Sequence, residues 1–245
     1  MITEHRRRER IGRAYRRLIG RVRLPSRAPE PLPAPAARAV RIISWNLLRL
    51  TGARLDDVAQ LIRRHLPDIL LMQEATQAFE ALPSLVGGHF WRAPLPGRIH
   101  GLAVWTPGPL AHPPRVLPLQ AGSLIERVCQ IVDLDGIGIA NVHLSHGQVL
   151  NRRQLRRIAA ALPHHAAVLG DYNLVGPALL PGFRDVGPRH PTHVMGDIVP
   201  LRLDRCLVRE VSCLHSAVLP WLRSDHRPIA VTLAVAAAPA LLAAA

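Results

Sequence analysis

A chain of 245 residues, 49% of them hydrophobic, can bury a sizeable core in one large domain or two small ones, which excludes wholesale disorder. Its net charge of +14 comes from 31 basic residues, all arginine, and favours polyanions as partners, although a coding bias towards Ala, Pro and Arg competes as the cause. Three cysteines without a Cys-x2-Cys spacing exclude a zinc ribbon or disulfide framework, and no run reaches ~18 uninterrupted apolar residues, which excludes a spanning helix.

Residues 1–24 read as a basic helical arm. Ten arginines against Glu4, Glu9 and Glu30 give residues 1–30 a net charge of +7, half of the total. Ile11, Ala14, Tyr15, Leu18, Ile19 and Val22 recur at helical spacing, so residues 5–23 predict an amphipathic helix. Such a helix suits anionic lipid or a phosphate backbone; docking on the body or fraying in solvent is the plainer alternative. Arginines interrupt any signal-peptide core, so the expected location is cytoplasmic, with peripheral membrane attachment through residues 5–23 as the alternative. Residues 25–38 form a stiff Pro-rich linker, residues 39–235 the folded body, and residues 236–245 an Ala-rich tail.

Within the body β and α signals alternate. Strands are expected at 39–45, 68–73, 101–105, 124–134, 137–144, 166–169, 203–208, 212–218 and 229–234. Asp135-Gly136 marks a hairpin between the fourth and fifth of these. Helices are expected at 55–66 and 148–162, the second with Arg152, Arg153, Arg156 and Arg157 off its apolar stripe, as a solvated face or part of a phosphate-facing patch. The Gly- and Pro-rich stretch 75–100 predicts a short helix and loops. Cys129, Cys206 and Cys213 read as buried apolar residues.

Five polar insertions share one pattern, an apolar strand that ends in or opens with polar residues. They are Ser44-Trp45-Asn46, Met72-Gln73-Glu74, Asn141-Val142-His143-Leu144, Gly170-Asp171-Tyr172-Asn173 and Ser224-Asp225-His226, with Asp204 inside a sixth apolar stretch. Singly, each suits a turn former or a cap. Together they predict side chains that converge at one end of a sandwich.

In this order the blocks resemble the endonuclease/exonuclease/phosphatase superfamily of metal-dependent phosphoesterases, over residues 39 to 235. Gly170-Asp171-Tyr172-Asn173 matches that family's Gly-Asp-Phe-Asn, with Tyr for Phe, and Ser224-Asp225-His226 its Ser-Asp-His. The resemblance implies a four-layer α/β/β/α sandwich with two mixed β-sheets packed face to face. It implies Mg2+, or Mn2+, with Glu74 as the direct ligand and Asn46 and Asp225 nearby, because a hard cation takes oxygen ligands. It also implies that Asp171 orients or deprotonates the attacking water and that Asn173 donates to the phosphate. His226 would contact a phosphoryl oxygen or shuttle a proton, with Asp204 fixing its tautomer, and His143 would assist the leaving group. Thr192 matches a block upstream of Asp204 and suits a local structural bond. His146, His164, His165, His190 and His193 have weaker claims.

The resulting expectation is hydrolysis of phosphodiester bonds, with nucleic acid as substrate favoured by the basic surface and a short body. A lipid or sugar-phosphate phosphoesterase on an anionic membrane surface, and a silent binding module, are the alternatives. No protein partner is implied.

Overall fold

A computed structural model describes residues 39–120, 126–196 and 198–235; the arm 1–24, the linker 25–38 and the tail 236–245 lie outside the described residues. In chain order the elements begin with β1 (Val40–Asn46), α1 (Leu55–His65), β2 (Ile69–Thr76), a 3-10 turn (Gln77–Ala81), α2 (Leu82–Val86) and β3 (His89–Pro94). They continue with β4 (His100–Thr106), β5 (Arg115–Pro118), β6 (Val128–Leu134), β7 (Ile137–His143), α3 (Gln148–Ala161) and β8 (Ala166–Asp171). The last are β9 (Arg184–Asp185), β10 (His193–Met195), β11 (Val199–Leu201), β12 (Asp204–Arg209), β13 (Ser212–Val218) and β14 (Ile229–Ala234).

Two six-stranded sheets result, ordered β13-β14-β1-β2-β4-β3 and β5-β6-β7-β8-β12-β9, with β10-β11 as a separate hairpin. Each sheet is built around one parallel pair joined by a helix: β1 to β2 through α1, and β7 to β8 through α3. The other pairings are antiparallel. Both sheets are therefore mixed, as expected.

Three apolar cores separate four layers. Ile42, Leu71 and Val104 of the first sheet meet Ile139, Leu169, Cys206 and Val208 of the second. Ile43, Trp45 and Met72 turn the other way, onto Val58, Leu61 and Ile62 of α1. Val142, Val168 and Leu207 pack against Leu155 and Ile158 of α3. Full burial of a side chain of this size contributes roughly 1.5–3 kcal/mol, so these alternating rows hold the sandwich together. Helix α1 carries Asp56 and Asp57 in its first turn and Arg63, Arg64 and His65 in its last, which complements the helix dipole.

Strand periodicity also sets where polar side chains go. Successive residues face opposite sides, so the positions in step with Ile42, Leu71, Ile139, Leu169 and Cys206 face the gap between sheets. Those include Ser44, Asn46, Gln73, Asn141, His143, Asp171 and Asp204, all buried. The chain thus fills one end of the inter-sheet space with polar groups and the rest with hydrocarbon.

Some expected elements shift. The strand expected from residue 124 begins at Val128, β3 appears within the stretch expected to hold a short helix and loops, and β5 and the β10-β11 hairpin appear where no strand was expected. β3 and β5 are edge strands whose residues are largely exposed or half-buried, so they carry no clean apolar alternation. Arg153, Arg156 and Arg157 of α3 are exposed, which matches the solvated face.

Candidate active site

The floor of the polar end is a buried hydrogen-bond network between the sheets. Gln73 Nε2 donates to Ser44 Oγ at 3.1 Å and to Asn141 Oδ1 at 2.8 Å. Asn141 Nδ2 in turn donates to the carbonyls of Met72 and Ala103 at 3.1 and 3.0 Å. Buried amides are costly unless paired, and this pairing fixes one sheet over the other beneath the site.

Above it stands Asp171, at the carboxyl end of β8 and 1% exposed. Its Oδ2 accepts a hydrogen bond from Asn46 Nδ2 at 3.0 Å and faces His143 Nε2 at 3.4 Å and His226 Nε2 at 3.7 Å. Its Oδ1 accepts from the backbone N–H of Asn173 at 2.9 Å, a local turn that fixes the carboxylate. Asn46 and His143 end the parallel strands β1 and β7, so one carboxylate gathers residues from both sheets. Gly170 precedes it at φ +142°, where a Cβ would overlap the Val142 carbonyl oxygen; only glycine permits this approach of β8 to β7. Tyr172 sends its hydroxyl to Val168 O at 3.0 Å, which satisfies the group that distinguishes it from phenylalanine.

The Ser224-Asp225-His226 segment is pinned to the end of β1. Trp45 Nε1 donates to His226 O at 2.9 Å, and Ser224 Oγ donates to Asn46 O at 2.6 Å. His226 Nδ1 donates to Asp204 Oδ2 at 2.7 Å, so Nε2 is the nitrogen turned to Asp171. Asp204 is held by its register opposite Asp171 and by Thr192, whose Oγ1 accepts from the backbone N–H groups of Leu203 and Asp204. Thr192 is therefore a structural bond, as expected.

His226 and His143 share Asp171 but differ in charge. Burial alone would lower His226, but the charge and hydrogen bond of Asp204, helped by Asp171 and Asp225, raise it to about 10. Burial dominates at His143: Asp171 offsets it only in part, Arg127 and His226 add to it, and its pKa falls to about 3. One ring is an imidazolium near neutral pH and the other a neutral imidazole.

Glu74 lies apart from the Asp171 contacts. It sits at φ 57°, within the irregularity where β2 and β4 lose register. Such a bulge re-aims a side chain. Its Oε2 accepts from the backbone N and the guanidinium of Arg49 at 3.1 and 3.3 Å. Glu74 and Asp171 both bear electrostatically on Arg127, and Glu74 on His100. Asp225 turns instead to His193, with Oδ2 3.7 Å from Nδ1. Asn173 follows Asp171 at φ 47° and donates its Nδ2 to Leu144 O at 3.0 Å.

Two donor sets could hold a metal. Asn46, Glu74 and Asp225 carry oxygen donors, the chemistry of a hard divalent cation; among the described residues, the hydrogen bonds to Glu74 end on one of its two oxygens, while Asn46 Oδ1 already accepts from the backbone N–H of Leu48 at 3.1 Å. His193, Asp225 and His226 offer two ring nitrogens and a carboxylate within 4.8 Å of one another. Such a mixed set suits a borderline metal, and one of its members is already bonded to Asp204. Oxygen donors are the kind that Mg2+ and Mn2+ take.

The sequence reading gave His193 only a weak claim and passed over Arg49, His100 and Arg127. His193 bridges His226 through the backbone, with ring centroids 4.5 Å apart. Its signal was the bond between Thr192 and the Asp204 strand, which draws the neighbouring residue in. Arg127 stands just before the apolar run of β6, the same polar-before-strand pattern as the other blocks. His146 and His190 are exposed, and His164 and His165 lie in a turn.

The sequence model of the endonuclease/exonuclease/phosphatase family matches residues 43–226. A solved endonuclease/exonuclease/phosphatase from Beutenbergia cavernae is 18% identical over 83% of this chain and 73% of its own, with a TM-score of 0.65. One from Bacteroides vulgatus is 17% identical over 80% of this chain and 98% of its own, with a TM-score of 0.67. Truncated TDP2 from Caenorhabditis elegans is 19% identical over 80% and 98%, with a TM-score of 0.60. At these identities the likeness is one of fold. No curated protein sequence matches the chain.

Proposed function

Because the chain belongs to the endonuclease/exonuclease/phosphatase family, we propose that it hydrolyses phosphodiester bonds in nucleic acid with a bound Mg2+ or Mn2+ ion. Members of that family hydrolyse phosphoester bonds and generally use divalent metals. The observation that carries the reading is the single carboxylate of Asp171, met by Asn46, His143 and His226 from both sheets.

Each residue then has a task that its surroundings allow. Asp171, an acceptor fixed by Asn46 and Asn173, orients the attacking water and takes its proton. His226, kept charged by Asp204, donates from Nε2 to a phosphoryl oxygen or hands its proton to the leaving oxygen as the P–O bond breaks. Asn173 has a second amide N–H beyond the one spent on Leu144 O, and it donates to the phosphate as charge grows there. His143, being neutral, serves the leaving group as a hydrogen-bond donor rather than as a charged acid. Glu74, Asn46 and Asp225 would hold the divalent cation, which would supply charge neutralisation and a more acidic water.

Nucleic acid is the favoured substrate because its phosphates are polyanionic and the chain remains basic beyond its arm, with +7 of the +14 outside residues 1–30. No helix among the described residues is long and apolar enough to cross a membrane. The test is a panel of plasmid DNA, abasic duplex, RNA, sphingomyelin vesicles and bis-p-nitrophenyl phosphate, each with Mg2+ and with chelator. Cation-dependent cleavage of a nucleic acid that weakens steeply with salt supports the reading. Activity confined to vesicles sinks it.

A further inference from the structure

Arg127 is 6% exposed, yet its guanidinium makes no hydrogen bond or ion pair among the described residues, and its Nε is a buried donor without an acceptor. A buried charge without a partner costs several kcal/mol, and folded proteins seldom keep one unless it serves another purpose. The side chain's neighbourhood suggests which. The β6–β7 register pairs Cys129 with Val142, which brings the residues just before β6 beside the end of β7, where His143 lies. Val128 packs with Leu102, Ala93 and Leu95, so the same residues also sit against the start of β4, where His100 lies.

His100 repeats the pattern. It is 5% exposed, and its Nδ1 is buried without a partner. Arg127 and Arg49 both help to lower its pKa below the ordinary value, after burial itself. Two buried nitrogen atoms without a hydrogen-bond partner, Arg127 Nε and His100 Nδ1, thus lie within electrostatic reach of Glu74, and Arg127 within reach of Asp171 as well.

We propose that Arg127, with His100 beside it, is an oxyanion-binding site for a phosphoryl group of the substrate, on the His143 wall of the cleft and opposite in role to His226. The inference rests on the reading of the chain as a phosphoesterase, but it concerns anion binding and not the substrate's identity. A planar guanidinium offers paired donors that match two phosphoryl oxygens, and desolvation strengthens each bond. The unmet hydrogen-bonding capacity of the free protein becomes affinity when the anion arrives. The residue is then retained at a cost to stability, as functional groups often are.

The test uses the full chain, free of metal in the presence of chelator, with inorganic phosphate as the probe at constant ionic strength. Arg127→Met keeps length and bulk while removing the charge, and Arg127→Lys keeps the charge without the fork. The expected result is a thermal midpoint for Arg127→Met equal to or above that of the unaltered chain, with phosphate affinity reduced about tenfold or more. Arg127→Lys should fall between the two. Loss of stability or failure to fold in Arg127→Met would make the guanidinium structural and overturn the proposal. So would phosphate binding as tight as in the unaltered chain, or no phosphate binding in that chain at all. A chain that binds phosphate through Arg127 yet cleaves no nucleic acid would leave this site standing and sink the substrate assignment alone.

Discussion

Two buried histidines face one oxygen of Asp171, and their surroundings drive them apart. His226 has Asp204 behind it at 2.7 Å and is lifted to about 10. Among the described residues no carboxylate backs His143 as Asp204 backs His226, a guanidinium lies in electrostatic reach, and burial takes it down to about 3. The comparison separates two effects that sequence alone runs together. Burial disfavours charge on any imidazole, and a hydrogen-bonded carboxylate can reverse that preference. A fold that supplies both walls gives one carboxylate a proton-bearing neighbour and a neutral one.

Asp171→Asn removes what the two walls share, and it has the largest expected effect. Turnover should fall by about a thousandfold or more while substrate binding changes little, as read from kcat and KM on a cleavable phosphodiester. Near-normal turnover would remove Asp171 from the water. Asp204→Asn erases the asymmetry itself by stripping His226 of its carboxylate. It should cost about a hundredfold or more in kcat and move the alkaline limb of the pH profile to lower pH. An unmoved limb would mean that His226 does not set it.

Glu74→Gln probes the carboxylate held apart from both histidines. It should raise the cation concentration needed for half-maximal rate by about ten- to a hundredfold, measured by titrating Mg2+ into chelated protein. His143→Gln should cost about tenfold in kcat/KM, the size of one lost neutral hydrogen bond. It should also change stability in acid. His143 is lowered on folding, so stability declines as pH drops from its ordinary 6.5 towards about 3, and denaturant titrations of the variant should show less of that decline. The opposite sign holds for His226. Its contribution is complete below 6.5 and disappears as pH rises through about 10.

The interior of this fold was more legible than its edges. Apolar runs such as those of β2 and β8 announce buried strands, and the polar residues that close them fall at inward-facing positions by simple alternation. The family's motifs marked Asp171, Asn46 and His226 for the same end of the sandwich. β3 and β5 were hidden because an edge strand has one open side and no strict pattern. The direction of Glu74 was hidden too, since a positive φ in a bulge cannot be read from Met-Gln-Glu. Arg127 was concealed among 31 arginines, where only three-dimensional burial distinguishes an enclosed cation from a solvated one.

The opposite charge states of His226 and His143 are tested most directly by imidazole NMR of the metal-free protein between pH 4 and pH 9. His226 should remain an imidazolium across that range, and His143 should remain neutral across it. Two rings that both titrate near the ordinary histidine value would contradict the account.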